Sequence, residues 1–401
     1  YQVSSARIPI DETDLCLSFL PLSHVFERQA GYYYMVFHAA TIAYAQSMQT
    51  VADDIQEIRP TVVAAVPRFY EKIYTGIMEQ VGRKPRVFQR LFHWCLAVGR
   101  EVVRYRMEKK TMLPGLALRY FLAKILVFKK IRRKLGGRIR FFISGGAPLS
   151  KSLAEFFLAA DVLILEGYGL TETSPVISVN SPDDFRLGTV GKPLPGIEVK
   201  LAPDGEILTR SASVMTGYFN NPEATQKVIK DGWFYTGDIG EIDADGFLAI
   251  TDRKKDIIVT SGGKNISPQN LEGLLQGDPY CKQAVVIGDR RNYLVALIYP
   301  NPEQIEKCAA ELQKHGLSWN AKLSDPKILQ HAAQSLNERL SHRPAYEQIK
   351  YFAFIPEELT QAGGDLTPTL KVRRRKVMEK YAHLIESLYE KGDRWKAEIH
   401  R

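Results

Sequence analysis

A chain of 401 residues with 45% apolar and 25% charged side chains has the composition of a globular protein with a real core, which excludes a disordered or low-complexity tract. Four scattered cysteines (Cys16, Cys95, Cys281, Cys308) with no CxxC pair argue against a disulfide framework or zinc site and for reduced thiols in a cytosolic protein. The formal charge of +9 is concentrated. Residues 83–140 carry 18 Lys/Arg against Glu101 and Glu108, so the rest of the chain is net acidic. No apolar run approaches the ~20 residues of a membrane-spanning helix, and residues 1–20 lack a signal-peptide pattern.

The length exceeds the ~250–300 residues at which single cores stop growing, so at least two domains are expected. The chain opens at Tyr1 already in mid-pattern, which leads us to expect a fragment, a processed form or the ordered part of something longer. Residues 1–82 alternate short apolar runs, such as 15–20 and 61–66, with helical stretches, the texture of an α/β layer fold. Residues 83–135 predict long basic helices broken near Pro114-Gly115. Residues 140–144 predict a short buried strand, followed by Gly145-Gly146-Ala147-Pro148 and a helix from about Ser150. A further strand, 162–165, ends in Glu166-Gly167-Tyr168-Gly169. From 186 the chain turns to Gly/Pro-punctuated strands, with turn sequences at 203–205 and 243–246. The polar run 251–256 marks a boundary before a smaller α/β unit with strands near 284–287 and 294–299 and a basic run at 371–376.

Tyr168-Gly169-Leu170-Thr171-Glu172-Thr173 is the first chemical signal. A strand running into a glycine turn lets backbone approach a ligand closely. The turn also presents a hydroxyl and a carboxylate together, oxygen ligands suited to phosphate-bound Mg²⁺. Taken alone, the hexapeptide reads equally well as a capped turn. Its neighbours in chain order are 145–149, 188–193, 205–207, 217–218, 235–238, 252–253, 261–265 and 368–371. Together these motifs resemble the adenylate-forming superfamily of acyl-CoA synthetases, luciferases and peptide-synthetase adenylation domains, from about Leu20 to Arg375. Thr369-Leu370-Lys371, where the family usually shows Ser-Gly-Lys, resembles the long-chain fatty acyl-CoA synthetase branch, as does the basic helical segment.

The resemblance implies a fold and an activity. The α/β fold would comprise an incomplete large N-terminal domain over 1–251 with mixed sheets and helices, including the basic helical insertion 83–135 and a β-rich subdomain at 186–251. A hinge at 252–256 would join it to a small mobile C-terminal α/β domain, 257–401. The activity would be a long-chain fatty acid:CoA ligase using ATP, Mg²⁺ and coenzyme A, through an acyl-adenylate. Gly145, Gly146 and Ala147 would line the adenine pocket, with Glu166 and Gly167 beside the base and Tyr168 stacked on it. Thr171 would touch phosphate and Glu172 would hold Mg²⁺. Asp238 would accept from the ribose hydroxyls, and Arg253 would reach ribose or phosphate. Lys371 is the expected catalytic cation, because a carboxylate attacking the α-phosphate builds negative charge that a lysine can offset. Lys255 would be the hinge residue, and Gly262 and Gly263 would flank the pantetheine arm of CoA. His24, in Leu20-Pro-Leu-Ser-His24, is either a satisfied structural histidine or a contact to substrate.

The phosphate-binding loop and N-terminal subdomain of that superfamily do not appear in residues 1–20, so these 401 residues alone are expected to have little synthetase activity. Two alternatives remain open at this level: a fatty acyl-AMP ligase loading a carrier protein, and a non-catalytic remnant that binds membrane or partner. The basic segment reads either as a solvated face packed on the large domain or as a docking surface for an anionic membrane, on the inner face of which a cytoplasmic protein would sit peripherally. Nucleic acid is not expected as a partner, since no recognition motif accompanies the charge.

Overall fold

The computed structural model describes residues 1–108, 110–262, 264–367 and 372–390, with the backbone of 397–398. Gly263 and Lys371 therefore lie outside the described residues. The chain divides into two compact units, Tyr1–Ile250 and Thr251–Arg401.

The first unit is organised by a seven-stranded sheet. Its strands are β1 (Leu15–Ser18), β2 (Thr41–Tyr44), β3 (Val62–Ala65), β4 (Phe141–Ser144), β5 (Ile164–Gly169), β6 (Val176–Val179) and β7 (Lys192–Pro193), in the order β2-β1-β3-β4-β5-β6-β7. The first five run parallel, and β6 and β7 turn antiparallel. β3 and β4 are buried at every position, as parallel strands covered on both faces must be. On one face Val63, Ala65 and Phe142 pack with Tyr70, Cys95 and Phe157. On the other, Val62, Phe141 and Ile143 meet Ile8, Tyr34 and Met35.

The helices of the first core are α1 (Val51–Ile58), α2 (Pro67–Gly82), α3 (Arg86–Met107), α4 (Pro114–Ala123), α5 (Lys129–Lys134) and α6 (Lys151–Ala159). α2 and α4 start with proline in the first turn, where its missing N–H costs nothing, and the Ser150 hydroxyl caps α6 through Leu153 N–H. α3 and α6 cross closely enough that a methyl on Gly99 would lie 2.1 Å from the Ala159 carbonyl oxygen. The basic helices are thus part of the unit's main core: Cys95, Leu96, Val98 and Val102 of α3 are all buried in it. Between α4 and α5 the buried positions step 116, 120, 123, 128, 131, and the five-residue gap from Ala123 to Phe128 is taken up by a π-helical turn, Lys124–Phe128.

A smaller sheet follows, with β8 (Glu198–Leu201), β9 (Glu206–Arg210), β10 (Ile229–Lys230), β11 (Trp233–Ile242) and β12 (Leu248–Arg253) in the order β10-β11-β9-β8 and β12 beside β11. Gly205 and Gly246 close its turns with φ of 82° and 83°, left-handed backbone that a glycine adopts without strain.

In the second unit β13 (Ile258–Val259) and β14 (Asn265–Ile266) form a hairpin, and β15 (Cys281–Ile287), β16 (Leu294–Pro300), β17 (Ile349–Phe354) and β18 (Ala397–Glu398) form a sheet in that order. α7 (Pro268–Gln276), α8 (Pro302–Glu311) and α9 (Pro326–Leu340) pack on one face of it, and α10 (Arg374–Lys380) and α11 (Ala382–Tyr389) on the other. The basic run that opens at 371 is not uniformly solvated. Arg374 donates to Glu272 Oε1 and to the Val286 carbonyl, each at 2.7 Å, because the Glu272 carboxylate buried under β15 needs a cation.

Candidate active site

Three sequence motifs of the first unit lie toward the carboxyl ends of its parallel strands. The loop carrying His24 follows β1 and the segment Gly145-Gly146-Ala147 follows β4, while Glu166–Tyr168 are residues of β5 itself, toward its carboxyl end. The β4–β5 register sets Ser144 opposite Glu166. Carboxyl ends of parallel strands are where α/β sheets bind ligands, because the following loops are free of the ladder and backbone groups point outward.

Gly146 has φ of +78°, and a methyl on Gly145 would fall 2.9 Å from the Phe26 ring, so both glycines are required by geometry. Glu166 is 8% exposed. Burial pushes its carboxyl up to about 8, against the pull of the Leu149 and Gly188 backbone amides, so it is mainly neutral at pH 7. Tyr168 is buried and donates its hydroxyl to Asp238 Oδ2 at 2.7 Å, which ties β5 to the second sheet. Asp238 itself is 4% exposed, on a bulged stretch of β11 where Gly237, at φ +73°, donates to Glu206 Oε1 at 2.9 Å. Bulges of this kind re-aim a side chain out of the ladder.

The Tyr168–Thr173 segment differs from the expected glycine turn. Tyr168 and Gly169 remain in β5, and the turn comes after them, as a 3-10 turn at Thr171–Thr173 closed by Ser174 at φ 62°. Gly169 is needed for another reason: any Cβ there would lie 1.8 Å from the Pro175 carbonyl oxygen. Thr173 is consumed structurally, accepting from Leu170 N–H at 3.0 Å. Thr171 is exposed and Glu172 half-buried beside it. Glu172 Oε1 accepts from the Tyr218 hydroxyl at 2.9 Å. One carboxylate and a neighbouring hydroxyl suit Mg²⁺, which takes few protein ligands and draws the rest from phosphates and water. No group of three His, Cys, Asp or Glu side chains that could hold a metal ion occurs among the described residues.

His24 caps the short helix Val25–Glu27, its Nδ1 accepting from Phe26 N–H at 3.2 Å, so the neutral ring carries its proton on Nε2. Three residues on stands a group that sequence reasoning missed. Glu27 is 1% exposed and accepts from the Ser18 hydroxyl at 2.5 Å, with burial raising it to about 7. Gly31 makes room for it, since a methyl there would meet Glu27 Oε1 at 2.3 Å. An acid directly after the apolar pair Val25-Phe26 was the available signal. Tyr218, in the 217–218 motif, is a second such residue, through its hydroxyl on Glu172.

In the second unit Arg253 is exposed at the end of β12, and Lys255 is exposed within a turn in which Asp256 N–H and Ile257 N–H both donate to the Arg253 carbonyl. Burial pushes Asp252 up to about 6. Gly262 is exposed between β13 and β14.

Residues 1–219 match the AMP-binding enzyme family, and residues 255–393 match the AMP-binding enzyme C-terminal domain. The chain belongs to the AMP-binding enzyme family. It is 39% identical to a long-chain-fatty-acid–CoA ligase of Mycobacterium tuberculosis, over 94% of this chain and 62% of that protein. It is 34% identical to long chain acyl-CoA synthetase 1 of Arabidopsis thaliana, over 94% of this chain and 59% of the relative. The chain therefore spans about three fifths of the length of the curated relatives it matches. Among solved structures, the adenylation domain of a carboxylate reductase from Mycobacterium chelonae superposes with TM-score 0.69 at 24% identity, covering 94% of this chain and 54% of that one. An anthranilate CoA ligase in complex with anthranoyl-AMP gives 0.66 at 20% identity, covering 96% and 63%. These likenesses show that this family member has the adenylate-forming fold.

Proposed function

We propose that the activity is ATP-dependent ligation of a long-chain fatty acid to coenzyme A. The carboxylate oxygen attacks the α-phosphorus of ATP and pyrophosphate leaves with the bonding electrons. The CoA sulfur then attacks the acyl carbon and AMP departs. The observation that carries this reading is the convergence of the Gly145 segment, Tyr168 and the buried Asp238 at the carboxyl ends of β4 and β5, in a chain 39% identical to a ligase of that name.

In this reading Gly145, Gly146 and Ala147 admit the adenine edge, and Glu166 and Gly167 flank it. Tyr168 offers its ring to the base while its hydroxyl holds Asp238 for the ribose. Thr171 meets phosphate and Glu172 holds Mg²⁺, steadied by Tyr218. The ion would neutralise charge on the phosphate oxygens. Arg253 reaches ribose or phosphate, and His24 borders the substrate side with its Nε2–H. Lys371 supplies the cation for the adenylation step. A turn about Lys255 then replaces Lys371 by Gly262 and Gly263, whose bare backbone flanks pantetheine.

No described helix is long and apolar enough to cross a membrane. The protein works peripherally at an anionic, cytoplasmic membrane face, where its fatty substrate partitions. The support is the basic surface of α3 to α5 together with exposed Leu118 and Phe121.

Fatty-acid-dependent exchange between pyrophosphate and ATP, measured in a catalytically active form of the protein with and without Lys371→Ala, tests the reading. Exchange falls 10²–10³-fold, about what losing one preorganised charge-stabilising donor costs. Unchanged exchange refutes the assignment, and faster acyl transfer to a phosphopantetheinylated carrier protein than to CoA replaces the acceptor.

A further inference from the structure

Beside the π turn the first unit carries a groove of about 750 Å³, lined largely by residues of that turn, of α5 and of the segment after it. Its lining includes five cations, Arg59, Lys124, Lys129, Arg132 and Arg133, and a single carboxylate, Asp161. Three of the cations are fixed by the fold. Arg59 donates to the Gly136 carbonyl at 3.1 Å, Arg132 to the carbonyls of Asp161 and Ile139 at 2.7 and 2.8 Å, and Lys124 pairs with Asp161 at 3.0 Å. Arg59 is held by a neutral carbonyl, whereas Lys124 and Arg132, the latter at 3.8 Å, share the one carboxylate of Asp161. Lys129 and Arg133 are exposed at the groove and make no side-chain hydrogen bond or ion pair among the described residues. One carboxylate does not balance such a set, and the groove is a preformed site for an anion.

The groove does not stand alone. Ile125 lines it and also belongs to an apolar ridge of Leu118, Phe121, Leu122, Ile125 and Leu126 along α4 and the π turn. Leu118, Phe121 and Ile125 are 62%, 58% and 51% exposed. A contiguous apolar ridge facing water is unfavourable unless something covers it. The required occupant must bring negative charge to the groove and hydrocarbon to the ridge at once. A free phosphate or a polynucleotide satisfies only the first demand, and an apolar protein surface only the second. An anionic phospholipid in a bilayer satisfies both.

We propose that this groove is a headgroup site for an anionic phospholipid and that the Leu118–Leu126 ridge inserts beside it among the acyl chains. The inference rests on the peripheral-membrane reading above and narrows it to one site; it does not depend on the ligase chemistry. Held this way, the unit meets the bilayer through α4, the π turn and α5, with the aliphatic side chains below the phosphate plane and the lysines and arginines at its level.

The test is co-sedimentation of the 401-residue chain with phosphatidylcholine vesicles lacking or containing phosphatidylglycerol, at low and high salt. Capture is expected only with phosphatidylglycerol and is expected to weaken as salt screens the groove. Each cation contributes about fivefold to partitioning, so Lys129→Ala with Arg133→Ala lowers it about 30-fold, while Lys129→Arg with Arg133→Lys retains it. Phe121→Ser with Ile125→Ser also lowers capture, without loss of the thermal transition because both side chains are exposed. If capture survives both double substitutions but falls on changing Arg86 and Arg90 of α3, the groove is overturned and the broader membrane reading stands. If vesicles of neither composition capture the chain, both fall. Binding of a single-stranded oligonucleotide through Lys129 and Arg133 more tightly than phosphatidylglycerol vesicles also overturns the proposal.

Discussion

Replacing Glu166 by glutamine should remove a pH dependence that the fold builds into the first unit. The side chain sits at the end of β5 with 8% exposure, and burial raises its carboxyl to about 8. In the unfolded chain it titrates near ~4.3. Between those values the native state holds a proton that the unfolded state has lost. Stability therefore falls as pH rises, by at most ~1.4 kcal/mol per pH unit. The contribution is fully present below ~4.3 and gone above about 8. Glu27, raised to about 7, acts in the same direction over a lower window. Between pH 7 and 8 Glu166 loses the larger share, ~1 kcal/mol, while Glu27, half-protonated at about 7, loses a further ~0.4 kcal/mol. Urea denaturation of the first unit at half-unit steps from pH 6.5 to 8.5 should show wild-type stability declining by ~1.4 kcal/mol between pH 7 and 8. Glu166→Gln, neutral and nearly isosteric, should keep only the shallow Glu27 slope there and be the more stable protein at pH 8. A wild-type stability that is level or rising from pH 7 to 8, or a slope that Glu166→Gln leaves intact, refutes the reasoning.

Tyr218→Phe removes the hydroxyl that holds Glu172; in an active form it should raise the Mg²⁺ concentration for half-maximal adenylation about fivefold, with little change in melting temperature. Gly99→Ala forces a methyl against the Ala159 carbonyl and should destabilise the first unit by ~1–3 kcal/mol in urea titration. Lys255→Pro should leave pyrophosphate–ATP exchange largely intact while slowing thioester formation in single-turnover assays; equal loss of both steps counts against a hinge there.

Much of the architecture was legible because parallel strands buried on both faces leave continuous apolar runs, as in Val62–Ala65 and Phe141–Ser144. Ser150 marked its helix start because a hydroxyl there satisfies an orphan N–H. The end of β5 was misjudged at Tyr168-Gly169, since glycine signals both turns and close approach, and only the Pro175 carbonyl, six residues on, separates the two. The bond between Tyr168 and Asp238 joins residues 70 apart, and that between Tyr218 and Glu172 joins residues 46 apart, so neither partner shows in local pattern. Glu27 escaped for a related reason: its pairing with Ser18 depends on how β1 and the following helix pack. The π turn at Lys124–Phe128 shifts the helical period by one residue, which hid where the apolar stripe faces water.

The central claim is that the carboxyl ends of β4 and β5, with Asp238, form a nucleotide pocket. Titrating AMP into the protein by calorimetry, with Asp238→Asn beside the wild type, tests it most directly. Losing a hydrogen bond to the charged carboxylate should weaken AMP binding ~10–100-fold while the melting transition stays cooperative. AMP affinity that is the same in both proteins contradicts the account.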